Sequence, residues 1–241
     1  MHSSCVPLKI QTNVCDLGRS IFGFKKEEGH AMSKRWWVSA LLGLSAMAVT
    51  GAAAAEPRMH DGFYFRGATG LGYTRSSVSY SPAVAGFGDQ SLGGVSIGFD
   101  AWFGGSPTPG LAIGGGLTGY DVPSPTLKVG GSSATFDGHE TLSIIALFGD
   151  YYFDPTKGMH LEGLVGFGAL GLTASNGQTS NNDPSGLALG LGFGNDWWVS
   201  DEWSIGVLGR FIYAPLSYSA GGQSLKYSTI TPALMATFTY N

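Results

Sequence analysis

Residues 228–241 alternate strictly in character. Ile230, Pro232, Leu234, Ala236, Phe238 and Tyr240 recur at a period of two on one face, and Thr229, Thr231, Ala233, Met235, Thr237 and Thr239 occupy the other. A helical period of 3.6 would mix the two sets, so this stretch is a strand. One face is apolar and ends in two aromatic rings, while the other is rich in threonine, a division suited to a strand with lipid on one side and a polar interior on the other.

The same pattern recurs upstream. Strands are predicted at 63–75, 91–103, 110–122, 139–153, 159–172, 186–199, 203–216 and 227–240, each long enough to cross a bilayer at a tilt. Short connections at Gly104 to Pro109, Asp154 to Gly158 and Ser200 to Glu202 alternate with long ones at 76–90, 123–138, 173–185 and 217–226. The expected fold is all-β: an eight-stranded antiparallel up-and-down transmembrane β-barrel in the outer membrane, with short periplasmic turns and long outer loops.

Composition excludes the helical alternative. Charged residues make up 12% of the chain, about half the ~25% usual in soluble domains, and no apolar run reaches the ~20 residues of a spanning helix. The run from Trp36 to Val49 follows Lys34 and Arg35 and precedes Ala53-Ala54-Ala55, the build of a cleavable signal peptide over 32–55. Residues 1–31 lie upstream of that signal, so the expectation is that Met32 is the true start and 1–31 a start-site artefact. The barrel domain is then 56–241. Both cysteines, Cys5 and Cys15, fall in the upstream segment, leaving the mature domain without thiol or disulfide chemistry. Its 7 Lys and Arg against 14 Asp and Glu give a net charge of −7, which argues against a nucleic-acid partner.

Aromatics gather at the strand ends beside short turns or a terminus. Phe63, Phe65, Phe99, Phe103, Tyr151, Phe153, Trp197, Trp203, Phe238 and Tyr240 are expected to form one girdle, and Tyr73, Tyr120, Tyr213 and Tyr227 the other. With the apolar parity facing lipid, the inward parity collects Arg66, Asp100, Asp150, Glu162, Asp196 and Arg210 as a lumen charge network. Strand 139–153 is oriented by Asp150, because a carboxylate in lipid is the costlier placement. Hairpin centres put Arg66 opposite Asp100, Asp150 opposite Glu162, and Tyr152 opposite His160. Inward positions are also rich in glycine, which leaves two readings open: room for large side chains crossing from other strands, or a small cavity in the outer half. Pro232 removes one ladder donor, so a bulge or a missing bond is expected there.

No nucleophile elbow, phosphate loop or paired cysteine motif occurs, so no catalytic, cofactor or metal site is expected. His139, Glu140 and Ser143 come nearest to a catalytic set, but alternation puts Glu140 on the opposite face from the other two. The signal peptide, eight alternating strands, short turns and aromatic C-terminus together resemble the small outer-membrane barrels of the OmpX and OmpA transmembrane-domain type, with the OmpW family as a second resemblance. The resemblance implies a monomer among outer-membrane lipids, inserted by the outer-membrane assembly machinery; the missing motifs and the split of His139, Glu140 and Ser143 across two faces argue against an enzyme. Its outer loops would carry a structural or surface-interaction role; the alternative is a narrow conduit or binding cup for a small or apolar solute, and a membrane-embedded lipid-modifying enzyme is the remoter reading.

Overall fold

The structure is a computed structural model that describes residues 58–81, 90–180, 183–220 and 223–241. The upstream segment and the signal peptide lie outside the described residues.

Ten strands follow in chain order: β1 (Gly62–Ser81), β2 (Gln90–Thr108), β3 (Leu111–Pro123), β4 (Thr126–Val129), β5 (Ser132–Thr135), β6 (Gly138–Tyr152), β7 (Gly158–Ala174), β8 (Ser185–Trp198), β9 (Trp203–Ala220) and β10 (Gln223–Tyr240). Eight of them form the barrel in the order β1-β2-β3-β6-β7-β8-β9-β10, and β1 also pairs with β10, so the wall closes. All pairings are antiparallel. Every predicted strand is present, most of them longer than their sequence limits: β1, β7, β9 and β10 run on chiefly toward the long loops, and β2 chiefly toward its short turn.

Side chains alternate as the period-two pattern requires. Leu191 and Leu147, each 67% exposed, Leu71 and Leu234 stand on the exterior, while Leu142, Ile144, Leu208 and Ile212 are buried in the lumen. Strand β6 is oriented as Asp150 demanded. The glycine-rich inward positions leave room for neighbours: a Cβ at Gly190 would sit 2.6 Å from Leu164 Cγ, and one at Gly98 would sit 2.8 Å from Tyr120 Cε1. Of the two readings left open by sequence, these positions match the first.

Registers agree at Asp150 opposite Glu162 and Tyr152 opposite His160. The first hairpin differs. Arg66 stands opposite Trp102, and Asp100 opposite Ala68, because β1 and β2 extend unequally into the long loop and its centre falls one residue later than their sequence limits imply. At Pro232 the β1–β10 pairing skips Tyr73 and Thr74 and resumes with the register unchanged. The ladder therefore loses rungs without bulging. Inside the barrel, the Thr74 and Thr231 hydroxyls bond across the same gap at 3.0 Å.

The segment expected as the long loop 123–138 holds a structured hairpin. Ser124 takes a positive φ of 50° as the chain leaves β3, and β4 then pairs with β2 from Gln90 to Gly93, continuing the wall above the end of β3. Gly130 and Gly131, at φ 54° and 87°, make the two-residue turn into β5. Leu127 and Phe136 pack on Leu92 and Leu172 beneath it. A Gly131→Ala change places a side chain in left-handed backbone and is expected to destabilise the hairpin by about 1 kcal/mol. Hydrogen exchange should then quicken at 126–135 while the barrel amides keep their protection.

Candidate functional site in the lumen

The lumen near its turn end is crossed by one continuous charged layer. Arg66 on β1 donates through Nη1 to Asp150 Oδ2 at 2.7 Å and through Nη2 to Glu162 Oε2. Arg210 on β9 donates through Nε to Glu162 Oε1 at 2.6 Å and through Nη2 to Glu162 Oε2 at 2.9 Å. Its Nη1 lies 2.7 Å from Asp100 Oδ2. Glu162 is thus held between two guanidinium groups, and Asp150 and Glu162, adjacent across β6–β7, are bridged by Arg66. The five side chains have no exposed surface.

Phenols complete the layer. The Tyr64 hydroxyl donates to Asp150 Oδ2 at 2.6 Å, and Tyr120 accepts from Arg210 Nη1 at 3.3 Å. Trp102 lies under the Arg210 guanidinium, 5.9 Å from ring centroid to Cζ. Asp196, the sixth residue expected in the network, joins a neighbouring cluster instead: it accepts from Tyr152 at 3.0 Å and Thr237 at 2.9 Å, with His160 Nδ1 3.9 Å away. Tyr64 and Tyr120 were not singled out by sequence as members of the layer, although both share the inward parity of their strands. The same parity corrects the second girdle: Tyr73 and Tyr213 face outward, whereas Tyr120 and Tyr227 are buried in the lumen.

Beneath the charges lies an aromatic floor. His60 precedes β1 and stacks on Tyr152, with centroids 3.5 Å apart, and against Trp198 at 4.6 Å. Backbone bonds from His60 N to Pro155 O and from Gly110 N to His60 O, each 2.8 Å, fix it under the barrel. The last residue, Asn241, is buried there too, its amide bonded to Glu202 O at 3.0 Å.

The exterior carries the complementary surface. Phe63, Phe103, Tyr151, Phe153, Trp197 and Phe238 are exposed, and Trp203 packs on Phe238 at 4.4 Å and on Tyr240 at 4.8 Å, while Phe65 meets Phe103 at 5.0 Å. Phe99 stands higher, opposite Thr69 and against Gly119. A closed wall that is apolar outside, ringed by aromatics at its turn end and charged within, inverts the surface of a water-soluble protein. It is an outer-membrane β-barrel.

No family model matches the chain, and no curated protein matches it. Among solved structures it is similar to Neisserial surface protein A, at 15% identity and a TM-score of 0.46 over 74% of this chain and 96% of that one. Outer membrane protein OprG from Pseudomonas aeruginosa matches at 12% and 0.41, over 77% and 100%. Ail, the attachment invasion locus protein of Yersinia pestis, matches at 13% and 0.33, over 71% and 98%. The likeness is one of small eight-stranded barrels; the membrane assignment rests on the surfaces described above.

Toward the loop end the lumen divides into an apolar wall, with Leu142, Leu170 and Leu216, and a hydroxylated one. Ser76 on β1 reaches across to Glu140 Oε1 on β6 at 2.5 Å and bonds Thr229 at 3.0 Å. On the exterior, His139 Nδ1 lies 2.9 Å from Asp121 Oδ2, and Thr141 donates to Asp121 Oδ1 at 2.8 Å. So His139 finds an acid on β3 that local sequence could not supply. Glu140 faces the lumen, as alternation required, and Ser143 joins neither group. Among the described residues no cluster of three or more His, Cys, Asp or Glu is arranged to hold a metal ion.

Two expectations follow. Replacing Arg66 with Met leaves Asp150 and Glu162 facing each other without their bridge, which should cost about 3–5 kcal/mol in urea unfolding from micelles. Asp121→Asn, on a partly exposed pair, should change stability by under about 1 kcal/mol. Burial pushes the His60 imidazole down from 6.5 to about 4, so between those values the unfolded chain binds the proton that the floor refuses. Stability should therefore fall as pH drops from 6.5 to 4. In His60→Phe, which keeps the stacking but cannot titrate, that part of the pH dependence should vanish from the unfolding midpoints.

Proposed function

We propose that this barrel is a closed, non-enzymatic scaffold whose task is carried by its loop-end surface. The observation behind this reading is the charged layer and the floor beneath it. Arg66, Asp150, Glu162, Asp100 and Arg210 join β1, β2, β6, β7 and β9 across the lumen with no exposed side-chain surface, and Trp102, Tyr152 and His60 fill the turn end. A solute entering from the loops would have to break ion pairs in a low-dielectric space to pass.

The wall, by contrast, is extended where the loops begin. Hairpin β4–β5 continues the sheet beside β2, and β1, β9 and β10 run on beyond their apolar segments. A rigid barrel that presents an ordered sheet edge and loops above the membrane is suited to contact with other surfaces. In this reading the protein is a monomer held by outer-membrane lipids after insertion by the assembly machinery.

Planar-bilayer recording tests it. The intact barrel is expected to give no discrete conductance steps, and Arg210→Ala, which removes one side of the layer, should raise leakage. Stepwise conductance from the wild-type barrel would overturn the scaffold in favour of a conduit.

A further inference from the structure

The cations of the barrel domain are not scattered. Of its seven Lys and Arg residues, Arg66 and Arg210 lie in the lumen layer, and Arg58 and Lys157 stand at the turn end beside Asp201 and Asp154. The other three, Arg75, Lys128 and Lys226, all project from one flank of the exterior at the loop end. Strands β3, β6, β7 and β8, which build most of the remaining wall, contain no Lys or Arg.

The registers hold the three together. Lys128 on β4 pairs with Ser91 on β2, Ser91 with Ser77 on β1, and Ser77 with Ser228 on β10. These positions share the outward parity, so a floor of serine hydroxyls runs beside the lysine. Arg75 stands one outward position below Ser77, and Lys226 pairs with Ser79, one outward position above it. Strand spacing and rise place the Arg75 Cα about 12 Å from that of Lys128 and about 14 Å from that of Lys226. All three side chains are exposed, and among the described residues none of them has an acid within ion-pairing distance. It is the hairpin β4–β5 that brings Lys128 beside β2.

Directly below lies the upper edge of the apolar belt. Tyr73 pairs with Val95, and Ile230, opposite Arg75, pairs with Tyr213; Tyr73, Val95 and Tyr213 are exposed. The cations therefore begin where hydrocarbon gives way to headgroups. A domain with a net charge of −7 repels anions in general, so three uncompensated cations on one flank decide where an anion can dock.

We propose that this flank seats the phosphorylated headgroup of an outer-leaflet glycolipid, its phosphates against Arg75, Lys128 and Lys226 and its acyl chains on the belt below. The span of the triangle suits two phosphates on one sugar headgroup better than a single phosphate, and the serines between supply donors to their oxygens. A soluble polyanion would match the charges but leave the apolar residues beneath them unused. The seat is on the exterior, so it stands apart from the question of whether the lumen conducts.

The test titrates the full barrel, folded in nonionic detergent micelles, with bis-phosphorylated lipid A and reads bound lipid by native mass spectrometry. The wild-type barrel should retain lipid A. Each of Arg75→Gln, Lys128→Gln and Lys226→Gln should weaken binding about fivefold, the equivalent of the ~1 kcal/mol that a cation contributes beside an anionic headgroup, and the triple variant about 100-fold. Arg58→Gln combined with Lys157→Gln, a loss of cations at the turn end, should leave binding unchanged. Dephosphorylated lipid A, which keeps the acyl chains, should bind the wild type as weakly as intact lipid A binds the triple variant. Heat-modifiable gel migration verifies that each variant is folded. Undiminished lipid A binding by the folded triple variant overturns the proposal. So does equal binding of the dephosphorylated lipid, which would leave only general acyl contact. A heparin oligosaccharide that binds the wild type more tightly than lipid A does, and is lost in the triple variant, would give the flank to a soluble polyanion instead.

Discussion

A strand in hydrocarbon has no water to satisfy its amides, and everything else in this molecule follows from how that demand is met. Eight strands curl until β1 finds β10, because an open edge in lipid would leave a row of unpaired donors and acceptors. Closure at eight strands fixes a narrow bore, and the narrow bore dictates composition. Glycine recurs on the inward parity where Leu164, Ile212, Tyr120 and Trp102 cross from neighbouring strands. The wall tolerates proline only at a cost visible in the ladder. A second gap lies between β8 and β9, where Leu187 and Ala188 lose their partners beside Pro215, and the β2–β3 ladder shifts register between Gly105 and Thr108, around Pro107.

The bore also decides how charge is carried. Two guanidinium groups serve three carboxylates within hydrogen-bonding distance, and the planar fork of arginine is what allows one residue to bridge two acids. Lysine could supply the charge but not the two-sided geometry. With the charges interlocked near one end, the loop half of the lumen is left to hydroxyls and aliphatic side chains, with Glu140 tied to Ser76 across it. The two halves of one bore therefore differ in chemistry although the strands that build them are continuous.

Much of this was legible in the alternation. Parity placed Arg66, Asp100, Asp150, Glu162, Asp196 and Arg210 inside, and the tight turn at 154–158 fixed the β6–β7 register, because a short turn leaves little freedom. The first hairpin did not yield its register, since a long connection can be entered at different points by its two strands. The second aromatic girdle failed at Tyr120 and Tyr227 for a reason already in the sequence: each shares the inward parity of its own strand, and proximity to a loop cannot override that. The β4–β5 hairpin was also within reach. Thr126-Leu127-Lys128-Val129, a Gly-Gly turn and Ser132-Ser133-Ala134-Thr135 follow the hairpin pattern, but serine and glycine content made the stretch read as a loop. The Asp121–His139 pair was out of reach, because it needs the β3–β6 register.

The charged layer draws its members from five strands distributed along the whole barrel. Arg66 and Asp100 arrive with the first hairpin, Asp150 and Glu162 with the middle one, and Arg210 only near the end of the chain. Until β9 is in place, Glu162 has one arginine instead of two and Asp100 lacks its ion-pair partner. An incomplete barrel is therefore electrostatically unsettled inside as well as unpaired at its edge. The layer acts as an internal proofreader: it binds distant parts of the chain into one cooperative transition and makes a half-assembled wall a poor resting state in the membrane.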